Sequence, residues 1–392
     1  MIDWSRYSNR PTMETLSSYP TILDILKDVV EGEEREQRHK MPLDRGVCRA
    51  IGYDLTRVGR YFLLRSDALG FPVLMPTSRT PFTLYRGQNH YYEPCKPSLN
   101  RFKEELPKER LKSYLQTAEM IMVMRTHPVI RFIEENPIQV GRLGKCHLAV
   151  MYDGLAQHYG INTCYLDLTN DIWTAAFFAA TKSSDNITYH PYTIDESTQF
   201  DDTYGVLYRR VFDCNSPNVE RDLTEVLPIG LQYFNRPGRQ CGFVRGMSET
   251  EDFNTLPQWQ RIFFRHDNAA SRLIHTLSQF GRKYMPDDAF ADVVKSIINQ
   301  YRVSIHSVEL AKRIYFPGKN IEQLCEEVES IGFEITPNLN SSFPAELLQR
   351  DWDLWNAGGK ERYMNSILIH PVIRMGIGDK KPSTVNGEAV IG

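Results

Sequence analysis

Phe82-Thr83-Leu84-Tyr85-Arg86-Gly87-Gln88 and, about seventy residues further on, Gln157-His158-Tyr159-Gly160-Ile161-Asn162-Thr163-Cys164-Tyr165-Leu166-Asp167-Leu168-Thr169 decide how this chain is read. The first stretch is an apolar strand that ends in a cation on a glycine turn. The second reads as helix, turn, strand and helix start. Its Gln, His, Thr and Asp side chains fall at the junctions. Core packing does not call for polar groups there, and ends of elements are where sites are built.

Outward from these stretches, Leu148, Tyr152, Leu155 and Tyr159 recur at the spacing of one helix face and predict a helix over 143–159, capped by Gly160. Cys164 to Leu168 predicts a strand, with Thr169, Asn170 and Asp171 as competent caps for the next helix. That helix, Ile172 to about Lys182, is apolar all round and is expected to be buried. Upstream, an amphipathic helix is expected over 20–35 (Ile22, Ile25, Leu26, Val29) and a second over 47–65 (Val47, Ile51, Leu55, Val58, Phe62). Val73 to Met75 and Phe82 to Tyr85 read as strands, and 103–135 as a helix broken at Pro128.

Downstream, 183–202 reads as a polar loop, Tyr204 to Phe212 as a strand, and Leu223 to Tyr233 as holding a short strand. Phe234 to Phe243 is a basic, glycine-containing connection. Helices are expected over 267–281, 287–301 and Ile321 to Ile331, the last ending at Gly332, with a strand at Val303 to Val308. The elements interleave without a regular βαβ period. They predict an α+β fold: a mixed β-sheet core with flanking helices and helical N- and C-terminal additions. The expected divisions are a helical N-terminal segment at 1–75, the α+β core at 76–345, and a C-terminal extension at 346–392 whose polar tail from Asp379 is mobile.

Lys and Arg number 46 against 49 Asp and Glu, for a formal net charge of -3. That balance argues against coating of extended nucleic acid, which draws on a basic surplus, and leaves room for a local basic pocket. No run nears the ~18 apolar residues of a membrane span, and the start lacks the basic head and apolar stretch of a secretory signal. The seven Cys are scattered singly with no C-x-x-C, the pattern of reduced thiols in a cytoplasmic protein, and neither Cys nor His shows metal-ligand spacing.

Tyr85-Arg86-Gly87-Gln88, Pro97-Ser98-Leu99-Asn100-Arg101, and Gln157-His158-Tyr159-Gly160 with Thr163, Leu166-Asp167 and Thr169 resemble the FRG domain family, named for its (Phe/Tyr)-Arg-Gly motif. The apolar helix with Ala175-Ala176-Phe177-Phe178-Ala179 sits where that family has a similar one, and Arg236 to Phe243 looks like its third motif. Cys164 and Leu168 depart from the family's frequent basic residue and Trp. The likeness spans roughly 80–245 and implies a fold neighbourhood more firmly than a reaction. The motif order also resembles, more distantly, that of arginine-type ADP-ribosyltransferases. That likeness implies Arg86 as a clamp on the phosphate or ribose side of NAD, Thr163 and Thr169 as orienting hydroxyls, and Gln240 where a carboxylate would stabilise an oxocarbenium-like transition state. Gln240 is neutral, so Asp167, or Glu249 and Glu251, would have to supply the charge.

Each residue also has a structural reading. Arg86 either grips a ligand, with Gly87 allowing close approach, or pairs with a carboxylate such as Asp167 and staples two strands. His158 either acts as acid–base or bonds within the core. Tyr85, Tyr91 and Tyr92 either stack on a base or pack. The expected site therefore comprises His158, Asp167 and Gln240 as catalytic candidates, with Tyr85, Arg86, Gly87, Gln157, Thr163, Thr169 and Arg239 as substrate contacts. Arg236 is a further candidate for phosphate contact. The function expected is a nucleotide-binding cleft, with NAD-dependent ADP-ribosyl transfer or NAD hydrolysis as its enzymatic form. The alternative is a non-enzymatic ligand-sensing or protein-interaction module, of the kind used in bacterial or phage defence.

Overall fold

Neighbouring side chains of the strand that carries Arg86 enter different cores, and this sets the architecture. In the computed structural model, Leu84 packs in one hydrophobic cluster and Tyr85 in another. The same alternation separates Val206 and Tyr208 from Leu207, and Phe263 from Ile262 and Phe264. A strand whose successive side chains are all apolar is buried on both faces. The structure describes residues 2–38, 61–64, 73–76, 82–136, 138–140, 144–148, 151–183, 188–212, 226–229, 233–234, 236–286, 288–360, 373–377, 384–385 and 388–389.

The central sheet has six strands: β1 (Phe82–Gln88), β2 (Tyr165–Thr169), β3 (Tyr204–Phe212), β4 (Leu227–Pro228), β5 (Gly242–Gly246) and β6 (Gln260–Arg265). Their order is β4-β5-β2-β1-β3-β6, and every pairing is antiparallel. A separate parallel pair joins Arg302–Ser304 to Glu334–Thr336. One face of the sheet is covered by α1 (Ile22–Arg38) through Ile22, Ile25, Leu26 and Val29. The other carries α2 (Leu106–Thr126), α3 (Pro128–Glu135) and α4 (Tyr152–His158). The apolar helix α5 (Ile172–Ala180) lies on the α1 face together with α6 (Asn268–Leu277). Next come α7 (Ala289–Asn299), α8 (Ile305–Tyr315), α9 (Ile321–Ser330) and α10 (Ala345–Leu354). The fold is α+β with helices at both ends, as expected.

Local chemistry accounts for most boundaries. Asp171 caps α5 by accepting from the Trp173 and Thr174 amides. Pro128 starts α3 after a break at His127. Gly160 (φ 94°) and Gly332 (φ 91°) take the left-handed turns that follow α4 and α9.

Four expectations need correction. Gly144–Leu148 is a strand, so α4 begins only at Tyr152. Tyr61–Leu64 is a strand rather than the end of a helix, while Val47, Ile51, Leu55 and Val58 lie outside the described residues. The segment 303–308 is strand only to Ser304, whose side chain then caps α8. The polar stretch after Ser183 contains a strand at Tyr189–Pro191, paired with Thr181–Ser183. The expected mobile tail lies outside the described residues apart from the pair Thr384–Val385 and Glu388–Ala389. No helix among the described residues is long and apolar enough to cross a membrane.

Candidate functional site

β1 runs beside β3 over seven register pairs but meets β2 at only one, Tyr85 opposite Thr169. Beyond that pair the two strands part, and a cavity of about 640 Å³ opens where their ladder stops. Tyr85, Arg86, Gly87, Asp167, Thr169 and Gln240 all line it. A second cavity of about 550 Å³ adjoins it and is lined by Gln157, His158, Asp167 and Gln240. Arg101, Asp167, Phe178, Tyr189 and Gln240 border both.

Arg86 bridges the gap between the parted strands. Its Nη1 donates to the Asp167 main-chain carbonyl at 2.7 Å. The expected staple therefore uses backbone, and the carboxylate is left to other partners. The buried Nε of Arg86 has no hydrogen-bond partner, and the side chain makes no ion pair among the described residues. A half-buried guanidinium without a counter-charge is costly unless an anion joins it.

The Asp167 side chain is 41% exposed, and Gln157 Nε2 donates to its Oδ2 at 3.2 Å. Gln157 is in turn fixed by the Thr163 hydroxyl, which also accepts from the Tyr165 amide at 3.1 Å. Thr163 lines neither cavity, so its part is to hold Gln157 in place. His158 Nε2 lies 3.5 Å from Asp167 Oδ1, and neither atom makes a conventional hydrogen bond. The His158 side chain is 2% exposed. Burial pushes its pKa below the ordinary imidazole value, the Asp167 carboxylate pulls it back up, and Arg236 pushes it down again. The ring packs against Gly242, where a Cβ would come within 3.1 Å of it.

Three expected site residues also make structural contacts. Thr169 donates to the Gln240 carbonyl at 2.7 Å and accepts from the Asp171 amide at 3.0 Å, tying β2 to the loop before β5. Gln240 Nε2 donates to the Tyr284 carbonyl at 3.0 Å, and the same side chain hydrogen-bonds His158. Gly87 lines the first cavity and also seats α5: a Cβ there would sit 1.9 Å from the Ala175 carbonyl oxygen. Arg239 is exposed and lines neither cavity. Glu249 and Glu251 also lie away from both, paired with Arg110 and Arg245.

Several lining residues were not singled out from sequence. Tyr189 and Tyr192 wall the first cavity beside Phe178, and Lys182 adds a cation to Arg86 and Arg101. Tyr192 stacks on His266 with ring centroids 4.2 Å apart. Burial pushes His266 down to about 4, and its Nε2 lies 2.8 Å from the Asn89 carbonyl oxygen. His90, also lining, pairs with Asp202 at 2.8 Å. Tyr189, Tyr192 and Asp202 come from a stretch that the sequence marks only as a polar loop. Tyr92 lines the first cavity, as a stacking candidate should, whereas Tyr91 is buried against Phe263. Among the described residues no cluster of three or more His, Cys, Asp or Glu could hold a metal.

Comparison with known proteins adds one finding. Residues 82–187 match the family model of the FRG domain. The matched span holds Arg86, Gln157, His158, Thr163 and Asp167 and ends before Arg236 and Gln240. No curated protein and no solved structure matches the chain.

Proposed function

The chain carries an FRG domain over residues 82–187, and from that premise we propose that the first cavity binds a nucleotide, with NAD as the leading candidate. The observation that carries this reading is Arg86, a half-buried cation on the cavity wall whose charge no carboxylate among the described residues balances. A phosphate would supply the missing charge through charge-assisted hydrogen bonds. Arg101 and Lys182 add to the anion preference at the rim. Phe178, Tyr92, Tyr189 and Tyr192 offer aromatic surface for a base.

In its enzymatic form the reading is NAD-dependent ADP-ribosyl transfer or NAD hydrolysis. The bond from nicotinamide nitrogen to ribose C1′ breaks, its electron pair leaves with nicotinamide, and positive charge develops on the ribose. Asp167, on the cavity wall, stabilises that charge in this reading. Water or an acceptor then bonds to C1′ and gives up its proton. Gln157, oriented by Thr163, holds the carboxylate.

A second reading, ligand sensing without turnover, is favoured by one feature. Of the three catalytic candidates, His158 is sealed behind Asp167 and Gln240 is neutral and bonded to Tyr284, which leaves Asp167 as the one that brings a charge to the cavity wall. Incubation with NAD separates the two. Nicotinamide release supports transfer or hydrolysis, a thermal upshift without release supports sensing, and neither response removes the nucleotide reading.

A further inference from the structure

Arg236 lines the second cavity although it is only 4% exposed. Its Nη1 donates to the His158 carbonyl at 3.2 Å, and its guanidinium carbon sits 4.6 Å from the centre of the Tyr159 ring. Its Nε is buried without a hydrogen-bond partner, and no ion pair balances it among the described residues. Asp288 answers part of the Arg236 charge through space without touching it. It accepts from the Tyr159 hydroxyl at 2.7 Å and caps α7 through the Ala291 amide at 2.8 Å. Lys295, exposed on α7, adds a second cation to the wall. The ring cation contact offsets part of the desolvation cost, and an entering anion would offset the rest.

We propose that the second cavity is a subsite for a second small molecule bearing a phosphate or a carboxylate. Arg236 and Lys295 hold its anionic group, and Asp167, shared by both cavities, lies between it and the occupant of the first. The inference rests on the nucleotide reading only for that neighbour. The same charges disfavour a guanidinium or ammonium as the second occupant, because like charges would meet with no carboxylate other than Asp167 on the wall.

Calorimetric titration with inorganic pyrophosphate tests this on the full chain. Wild type is expected to show two binding events. Arg86→Ala keeps the event of the second cavity, and Arg236→Gln keeps that of the first. Lys295→Ala, an exposed change that does not threaten the fold, weakens the second event by roughly threefold to tenfold. Melting curves check that Arg236→Gln is folded; if it is not, the Lys295→Ala result decides. A single event abolished by Arg86→Ala and unmoved by Lys295→Ala overturns the second subsite while sparing the nucleotide reading. Two events untouched by Arg86→Ala, one of them weakened by Lys295→Ala, overturn the nucleotide reading and support the subsite. No binding at all overturns both.

Discussion

Arg86 on β1 and Arg245 on β5 belong to the same sheet and differ in what answers their charge. Arg245, with its side chain 8% exposed, donates to Glu251 at 3.0 Å. Glu251 also accepts from the Ser248 amide at 2.7 Å. Burial alone would raise the Glu251 pKa, but the Ser248 amide and the Arg245 guanidinium outweigh it and lower the value. Arg86 is less buried, yet it finds only a main-chain carbonyl. The fold can thus supply a carboxylate to an arginine of this sheet, and it withholds one where the strands part around a cavity. A cation left unbalanced at a cavity wall points to a ligand, whereas a balanced one points to structure.

The comparison can be broken most severely at Gly87, next to Arg86. Gly87→Ala places a methyl against the α5 backbone, which cannot rotate away. A loss of about 3 kcal/mol or more is expected in denaturant melts. A variant as stable as wild type would show that α5 is not seated on β1 as described.

Acid titration gives the next effect. His266, behind the aromatic wall of the first cavity, has a folded pKa of about 4. An imidazole whose folded pKa is depressed binds its proton more readily when unfolded. Stability is therefore complete above the unfolded value, near 6.5, and falls as pH drops towards 4. Up to about 3 kcal/mol is at stake over that window. His158, also depressed by burial, acts in the same direction. His266→Gln should flatten much of the slope between these pH values, and an unchanged slope would assign it elsewhere.

Arg86→Met sharpens the contrast directly. Stability should fall by about 1 kcal/mol, for one lost hydrogen bond. Binding of NAD should weaken by roughly 10–100-fold, matching the ~1.5–3 kcal/mol of hydrogen bonds to a charged group. Isothermal titration beside a melting curve reads both. The reverse pattern, a large stability loss with binding intact, would make Arg86 the structural arginine.

The smallest effect is expected at the balanced pair. Glu251→Gln should cost no more than about 1 kcal/mol, since the carboxylate is a third exposed and screened. Its stabilising charge is present above the ordinary Glu value and is lost as pH falls through the lowered folded value. NAD affinity should not change. A drop in affinity would bring the β5 end of the sheet into the site.

Strand ends and caps were legible in sequence because they depend on neighbours a few residues apart. Asp171 before an apolar run, Pro128 inside a helix and Gly160 after one each carry their own signal. The period-four spacing of Leu148 misled because Gly144–Leu148 pairs with Ile138–Val140 and Ile373–Ile377, and the long-range pairing overrode local pattern. The site was legible as far as the Tyr-Arg-Gly and Gln-His-Tyr-Gly stretches carried it. What each residue does was not. Whether Arg86 meets the carboxylate or the carbonyl of Asp167 depends on where β1 and β2 part, and no local signal marks that point. Gly87 reads as ligand access, and its further part as a seat for α5 was hidden because the partner lies 88 positions away in sequence. The second cation of the site, Arg236, was visible as a basic residue, but its burial beside Tyr159 required the fold.

A crystal structure of the protein soaked with NAD tests the central claim most directly. The account predicts a phosphate oxygen within hydrogen-bond distance of the Arg86 guanidinium, with the ligand lying in the first cavity beside Asp167. Dinucleotide bound with its phosphates away from Arg86, or a cavity that stays empty at saturating NAD, would contradict it.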